Sequence, residues 1–285
     1  MKKIDILVAV RNESESIRKF VDQIIKINIE GIEISIVFLE DGSTDDTLNV
    51  LRTISKELKI VKFYSLKNDF GQYVALFWGI NKSNADAVIT MDVDGGHPLY
   101  IIQEMIKEYL EGFNIVQGHR AVYHSKEKYR AIASYLYNSF FLVFVGLNIV
   151  RQNSIFRLMD RMTCEIFKAN FQWGYSLKTN FKKSDKIRVK YISYDTPERE
   201  YGVSKYNFFR LARLSMRVAY SQLSVQRFLL FNSTLLFFLF LSFINNDYFG
   251  SILSTLAMVL LIIPYLLLRK TNAISRIKIL ESDLA

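Results

Sequence analysis

The sequence has few of the residues that supply cross-links, flexible linkers or catalytic imidazoles. Its 285 residues include one cysteine, three prolines, three histidines and twelve glycines. The single Cys164 excludes an intramolecular disulfide, and the shortage of proline and glycine argues against a flexible linker. Met1 leads through two lysines into an alternating strand pattern without a longer apolar region, so we expect no cleaved signal peptide.

Two long apolar runs without charged residues stand near the C-terminus, at 228–244 and 249–268. Each approaches the roughly 20 residues that a helix needs to cross a bilayer. Buried core helices are the alternative, but these usually carry a polar stripe. The sequence therefore predicts a transmembrane hairpin over 228–268, preceded by amphipathic juxtamembrane helices at 207–227 and followed by a basic tail at 269–285.

The net charge of +9 is concentrated partly around these runs. The flanking basic residues are Arg210, Arg213, Arg217 and Arg227 on one side and Arg269, Lys270, Arg276 and Lys278 on the other. By the positive-inside tendency both flanks, and with them the catalytic part, are expected in the cytoplasm. No nucleic-acid motif accompanies the charge, so we expect no nucleic-acid partner.

From residue 3 to about 120, short β-rich runs alternate with amphipathic stretches, which predicts an α/β domain with a mostly parallel sheet. Strands are predicted at 3–10, 34–39, 59–65, 87–91 and 114–117, with helices at 13–27, 72–81 and 98–110. The catalytic domain is expected to span 1–206. Ligands of such sheets bind beyond the carboxyl ends of the strands, which draws attention to the polar segments 11–13, 40–45 and 92–94.

The third of these segments, Asp92-Val93-Asp94, follows an apolar strand. Alternation along an extended chain points both carboxylates to one side, where they suit Mg²⁺ or Mn²⁺ and leave positions for a diphosphate. A plain Asp-Gly-Gly turn is the alternative. Glu40 and Asp41 end an earlier strand, where a base or ribose could be held, whereas Ser43, Thr44 or Asp45 could cap the next helix.

Six segments occur in an order that resembles the family 2 glycosyltransferases, which have the Rossmann-like GT-A fold. The likeness is closest to their polyprenyl-phosphate branch, and it spans essentially the whole chain. The segments are residues 8–13, 39–45, 68–72, 91–98, 156–161 and 199–206.

This resemblance implies roles for individual residues. Asp92 and Asp94 would hold the metal, and Asp94, Arg157 and Lys205 would be catalytic. The nucleotide-sugar would contact Val10, Asn12, Glu13, Asp41, Asn68, Gly71, Gln72, Asp92 and Arg120. The acceptor phosphate would contact Arg157, Arg199, Ser204 and Lys205.

Three positions depart from the family pattern. Gly95-Gly96 stand where Leu-Gln is common, so a side-chain amide near the metal is missing. Gln72 replaces a frequent basic residue, and Asn153-Ser154-Ile155 replace a segment that often holds an acidic residue and glycine. These changes bear on metal affinity and substrate identity. The Gln-x-x-Arg-Trp segment of processive synthases is absent, which favours transfer of a single sugar.

The expected reaction is inverting transfer from a UDP- or GDP-sugar to a polyprenyl phosphate such as undecaprenyl phosphate, at the bacterial inner membrane, for cell-surface glycan assembly. A phosphate is already ionised near pH 7 and needs no general base, and neither His97, His119 nor His124 has an evident catalytic partner. The alternatives are transfer to a hydroxyl of a lipid-linked saccharide and a degenerate membrane scaffold. The predicted surface helices beside the membrane hairpin could also pack against a second copy of the chain, so a homo-oligomer is possible.

Overall fold

A computed structural model of the chain describes residues 1–67, 69–120, 153–169, 187–195, 225–245, 248, 250, 252, 254–257, 259, 262 and 279–282. Its strands are β1 (Lys2–Val10), β2 (Ile32–Asp41), β3 (Val61–Leu66), β4 (Ala87–Met91), β5 (Ile115–Arg120), β6 (Asn153–Asp160), β7 (Val189–Tyr194) and β8 (Ile279–Ser282). Its helices are α1 (Ser14–Ile24), α2 (Thr47–Glu57), α3 (Gln72–Lys82), α4 (Tyr100–Leu110), α5 (Arg161–Ala169) and α6 (Val225–Ile244).

The described strands form one sheet in the order β7-β5-β6-β4-β1-β2-β3-β8. Neighbours β1, β2, β3 and β4 pair in parallel, as do β5 and β7, which confirms the predicted mostly parallel sheet. β6 lies antiparallel between β4 and β5, and β8 is antiparallel to β3. The carboxyl ends of β1, β2 and β4 therefore meet at one edge, next to the entering end of β6.

Apolar residues alternate between the two faces of the sheet and form two separate cores. Ile4, Ile6 and Val8 of β1 pack on one face, in a cluster with residues of α1, α2 and α4. Leu7 points to the other face, where α3 and α5 cover the sheet. Because side chains alternate with period 2, a strand buried on both faces reads as a continuous apolar run. That pattern is what made these strands predictable.

Gly118 of β5 lies at a tightly packed position of the sheet. A Cβ atom at this position would stand 2.9 Å from the backbone oxygen of Phe156 and 3.0 Å from Cε1 of Tyr194. We predict that Gly118→Ala lowers the free energy of unfolding by about 2 kcal/mol, because backbone cannot move aside as a side-chain tip can. Urea denaturation measures this. The exposed Gln103→Ala on α4 is the control, and equal midpoints for both variants would contradict the prediction.

Within the part of the chain that the structure describes, none of the helices combines the length and apolar character that crossing a membrane requires. The two predicted spans, 228–244 and 249–268, are therefore not found there. α6 includes the first range, and most of the second lies outside the described residues. The predicted boundary at 206 also lies outside them, so the division of the chain into domains stays a prediction.

Candidate functional site

The loops that follow β1 and β2 are joined by hydrogen bonds. The N–H of Asn12 donates to Oγ of Ser43 at 3.0 Å, and Oδ1 of Asn12 accepts the N–H of Thr44 at 2.8 Å. Asn12 has a φ of 54°, in the left-handed region that asparagine tolerates better than most residues. The predicted nucleotide-contacting Asn12 thus fixes the shape of this edge of the site.

Glu13 and Asp45 extend the same connection. The N–H of Glu13 donates to Oγ1 of Thr47 at 2.9 Å, and its carboxylate accepts the hydroxyl of Ser16 at 3.1 Å. Asp45 accepts the hydroxyl of Ser14 at 2.9 Å and the N–H of Thr47, the first residue of α2, at 3.0 Å. Partial burial opposes ionisation of Asp45, but these hydrogen bonds prevail and lower its pKa. The N-cap of α2 is Asp46 and not Ser43, Thr44 or Asp45, but Asp45 still supports the start of the helix by accepting the N–H of Thr47.

Glu40 and Asp41 end β2, and both are buried. The two oxygens of Glu40 accept the N–H of Ser43 and, at 2.6 Å, the hydroxyl of Ser65. Glu40 therefore holds the loop and β3 together. Asp41 accepts the backbone N–H groups of Phe70 and Gly71, each at 2.8 Å. Of the two acidic residues that the sequence placed here, Asp41 is the one whose carboxylate joins the loop after β3 to the end of β2.

The Asp41 carboxyl is poised near neutral pH. Burial raises its pKa to about 6, and the N–H groups of Phe70 and Gly71 limit the rise because they favour the ionised form. The neighbouring charge of Asp69 raises the pKa further, and that of Arg11 lowers it. The carboxylate is therefore largely ionised above pH 7 and increasingly protonated below pH 6.

This titration gives a prediction for nucleotide binding. If ionised Asp41 accepts a hydrogen bond from the nucleoside, affinity falls as the pH drops through the pKa. We expect about a tenfold weaker Kd for UDP or GDP at pH 5 than at pH 7.5, since about one molecule in ten is ionised one unit below the pKa. Calorimetry across this range measures it. Asp41→Asn should bind the nucleotide more weakly at pH 7.5 and should lose the pH dependence that comes from Asp41. If its affinity followed the same pH profile as that of wild type, Asp41 would not contact the nucleoside.

Asp92 and Asp94 follow β4 as a partly exposed pair around the buried Val93. Asp92 accepts a hydrogen bond from the side-chain amide of Gln72, the first residue of α3. Oδ1 of Asp94 accepts the N–H of Gly96 at 3.0 Å. Val93 points into the core, and both flanking aspartates are partly exposed to solvent. The turn chemistry of Gly95-Gly96 is present as well, and it orients Asp94.

His97 supports Asp92 from behind, a role that the sequence did not reveal. Its Nδ1 accepts the backbone N–H of Asp92 at 3.0 Å, and its Nε2 lies 3.7 Å from Oδ2 of the same residue. The buried ring stacks on Phe156 with centroids 4.8 Å apart. The only sign of this role in the sequence is the position of His97, five residues after Asp92 and among uncharged neighbours.

Arg157 brings a buried positive charge to the same edge. It is 2% exposed and lies on β6 opposite Thr90 of β4 and Gln117 of β5. Its Nε donates to Oε1 of Gln117, whose own amide donates to the backbone oxygens of Gly118 at 2.8 Å and Phe156 at 3.2 Å. Arginine is rarely buried so completely unless its charge is compensated or used, which makes Arg157 a functional candidate.

The aspartate pair fits a divalent cation. Mg²⁺ and Mn²⁺ take oxygen ligands and are often held by one or two carboxylates together with substrate phosphates. Asp92 and Asp94 supply such carboxylates on a partly exposed edge. Among the described residues, no cluster of three or more His, Cys, Asp or Glu side chains forms a complete protein cage. The donor set thus suits an ion that shares its coordination with a ligand.

The remaining predicted residues divide into those the structure places and those it does not describe. Gly71 has a φ of 90° and directs its N–H to Asp41, and Val10 is buried in the core behind the site. Arg11 and Asp69, an ion pair that the sequence analysis did not assign, connect the loops after β1 and β3. Arg120 ends β5, but its side chain is not described. Asn68, Arg199, Ser204 and Lys205 lie outside the described residues.

Comparisons with known proteins agree with this geometry. Residues 5–166 match the sequence model of glycosyl transferase family 2. The chain is 29% identical over 222 residues to CsbB of Bacillus subtilis (strain 168), which is named as a glycosyltransferase; the match covers 75% of this chain and 64% of that protein. It is 28% identical over 216 residues to the bactoprenol glucosyl transferase of Shigella phage SfV, covering 75% of this chain and 70% of the relative.

A likeness to solved structures supports the fold. The chain resembles glucosyl-3-phosphoglycerate synthase from Mycobacterium tuberculosis, crystallised with Mn²⁺, UDP and glucosyl-3-phosphoglycerate. The TM-score is 0.53 at 14% sequence identity, over 77% of this chain and 78% of the other. At this identity the likeness establishes the GT-A architecture of the sheet and its helices.

Proposed function

The sequence model of glycosyl transferase family 2 matches residues 5–166, more than half of the chain, so the chain belongs to this family, and we propose that it transfers one sugar from a UDP- or GDP-sugar to a polyprenyl phosphate. The observation that carries the proposal is the meeting of Asp41, the Asp92–Asp94 pair and the buried Arg157 at one edge of the sheet. Asp41 would then accept hydrogen bonds from the nucleoside, the Asp92–Asp94 pair would bind a metal ion together with the diphosphate, and Arg157 would bind the acceptor phosphate. All three groups lie at the same edge of the sheet.

On the donor side, the loops after β1, β2 and β3 are held in place before any ligand arrives. Asp41 is fixed by two N–H groups, and Asn12 by both its main chain and its side chain. A site that is ordered in advance loses little conformational entropy on binding. Asp41 and Glu13 would contact the nucleoside, with the diphosphate extending toward Asp92 and Asp94.

At the reaction centre, negative charge moves onto the departing diphosphate. An acceptor oxygen forms a bond to the anomeric carbon from the face opposite the leaving group, and the bond to the nucleoside diphosphate breaks, so the configuration inverts. A bound Mg²⁺ or Mn²⁺ would stabilise the developing charge as a Lewis acid. Asp92 and Asp94 would hold that ion, while Gln72 and the N–H of Gly96 orient their carboxylates and His97 fixes the backbone of Asp92.

On the acceptor side, Arg157 favours an anion. A phosphate is ionised near neutral pH and attacks without a general base, which suits a site where His97 is occupied in holding Asp92. Guanidinium groups recognise phosphate through charge-assisted hydrogen bonds. The name of the Shigella phage SfV relative, a bactoprenol glucosyl transferase, supports a lipid carrier as the source of that phosphate.

A polyprenyl acceptor requires access to a lipid surface, so we place the enzyme at the cytoplasmic face of the bacterial inner membrane. Two features support this localisation. α6 exposes large apolar side chains, namely Leu236, Phe237, Phe238, Phe240 and Ile244. Exposed apolar surface of this extent is typical of contact with lipid or another protein. Basic residues precede and follow the C-terminal apolar runs in the sequence, as binding to anionic lipid requires.

The proposal is tested by incubating detergent-purified protein with Mn²⁺ or Mg²⁺, undecaprenyl phosphate and separate UDP- and GDP-sugars. Mass spectrometry should detect a lipid-linked sugar phosphate with one donor. Release of nucleoside diphosphate without a lipid product would retain the donor site and reject the acceptor. Product formed only with saccharide hydroxyls would favour the alternative acceptor, and no turnover with any donor would favour a scaffold.

A further inference from the structure

We propose that Gln117 of β5 is a positioning residue that holds the guanidinium of Arg157 in place for the acceptor phosphate. The inference rests on the proposed function, because it takes Arg157 as the group that binds that phosphate. The two residues are directly paired across β5 and β6, so their side chains share one face of the sheet, and Nε of Arg157 donates to Oε1 of Gln117. Both side chains are buried.

The orientation of the Gln117 carboxamide is fixed by its own contacts. Its Nε2 donates to the backbone oxygens of Gly118, at 2.8 Å, and Phe156, at 3.2 Å. Carbonyl oxygens only accept hydrogen bonds, so the NH₂ end of the amide must face them and its oxygen must face the N–H of Arg157. The reversed amide would place its oxygen against two carbonyl oxygens. Gln117 therefore presents an acceptor to Arg157 in one orientation.

The pairing of β5 with β6 changes register beside this contact. From Gln117 to His119 the chain of β5 advances by two residues, whereas the partner on β6 moves by four, from Arg157 to Asn153. Such a bulge interrupts the hydrogen-bond ladder, so main-chain groups there need other partners, and bulges are frequent beside active sites because they redirect a side chain. The Gln117 amide supplies donors to main-chain oxygens of both strands at this point. Gln117 thus binds the irregular part of β6 and the Arg157 side chain together.

Strand β4 holds the same part of β6 from its other side. Thr90 is paired with Arg157, and its hydroxyl donates to the backbone oxygen of Ile155 at 2.5 Å. The buried residues opposite Arg157 on both neighbouring strands therefore bind the main chain of β6 just before Arg157. Gln117 contacts the guanidinium as well. A cationic group that is fixed before its ligand arrives loses little conformational entropy on binding.

A double-mutant cycle tests whether Gln117 acts through Arg157. Gln117→Met removes both hydrogen-bonding ends of the amide at similar length. We expect it to raise KM for undecaprenyl phosphate about tenfold, because the guanidinium is misplaced, while slow donor hydrolysis without lipid continues. In the Arg157→Met background the same substitution should change KM by less than about twofold, because the group that Gln117 positions is already gone. Gln103→Met on the exposed face of α4 is the control and should behave as wild type.

A measurement without turnover separates this inference from the proposed function. Nuclear magnetic resonance of protein that contains isotopically labelled arginine follows the Nε–H of Arg157, which is identified by its loss in Arg157→Met. This N–H is buried and hydrogen-bonded, so it should exchange slowly with water, and Gln117→Met should accelerate the exchange about tenfold or more. Neither donor nor acceptor is needed for this comparison.

Gln117→Glu keeps the length of the side chain and an oxygen acceptor for Nε, so it serves where Gln117→Met does not fold. The Nε–H should stay protected in this variant, and the added negative charge should raise KM for the lipid phosphate about tenfold. Equal effects of Gln117→Met in both backgrounds, an unchanged exchange rate, or a wild-type KM in Gln117→Glu would overturn the inference. The expected exchange rates together with no lipid product would uphold the positioning of Arg157 and reject the lipid phosphate as acceptor.

Discussion

Asp94→Ala is expected to lower the rate of sugar transfer by about 10²–10³-fold while the protein stays folded, since removing one preorganised electrostatic contact to a transition state has an effect of this size. Asp94 is partly exposed and belongs to neither apolar core, so its truncation leaves both cores intact. The lipid-linked product is quantified by mass spectrometry at saturating donor. The melting temperature should change by only a few degrees.

Asp22→Ala is the matched control, because it removes an exposed carboxylate that lies on α1, outside the site. It should transfer sugar at the wild-type rate. Asp94→Asn separates charge from shape, since it keeps the side-chain volume and removes the negative charge. Near wild-type turnover by Asp94→Ala would show that Asp94 neither binds the cation nor orients the diphosphate.

Arg157→Met is expected to reduce kcat/KM for the lipid phosphate by about a hundredfold or more, because the acceptor phosphate would lose a charge-assisted contact. Methionine fills a similar volume, and replacing a buried charge by an apolar group of like size often preserves stability. Slow hydrolysis of the nucleotide-sugar in the absence of lipid should persist. Transfer to undecaprenyl phosphate and donor hydrolysis are therefore measured on the same preparation.

A surface arginine provides the comparison. Arg52→Met removes a partly exposed guanidinium of α2 that donates to Asn49, three residues earlier on the same helix and outside the site, and both reactions should continue as in wild type. If Arg157→Met lost transfer and donor hydrolysis to the same extent, Arg157 would belong to the donor site instead. If it lost neither, its burial would have a structural explanation, through the hydrogen bond to Gln117.

The sequence predicted the first half of the sheet because each step there depends on local pattern. β1 and β4 are short apolar runs, and α1 has Ile17, Phe20, Val21 and Ile24 at helical spacing, all buried in the structure. Polar residues after a parallel strand must lie at the ligand-binding edge, so the grouping of Asp41 with Asp92 and Asp94 followed from topology alone.

Contacts between distant segments could not be predicted in this way. The antiparallel entry of β6 between β4 and β5 depends on pairing with β4 residues about seventy positions away and with β5 residues about forty positions away, and no periodicity reports it. The Arg157–Gln117 hydrogen bond depends on that pairing, and the Gln72–Asp92 hydrogen bond depends on where α3 begins relative to the end of β4. The sequence places His97 in the metal motif but does not show that it supports Asp92. That support depends on the burial of the ring, which is a property of the tertiary structure.

The position of β6 has a consequence for synthesis of the chain on the ribosome. β1 to β4 are complete once residue 91 has emerged, but the outer edge of β4 stays open until β6 arrives at residues 153–160. At about 5–20 residues per second this interval lasts several seconds. An open apolar strand edge can recruit another nascent chain. We therefore expect the yield of folded protein to depend on translation speed and chaperone supply during this interval.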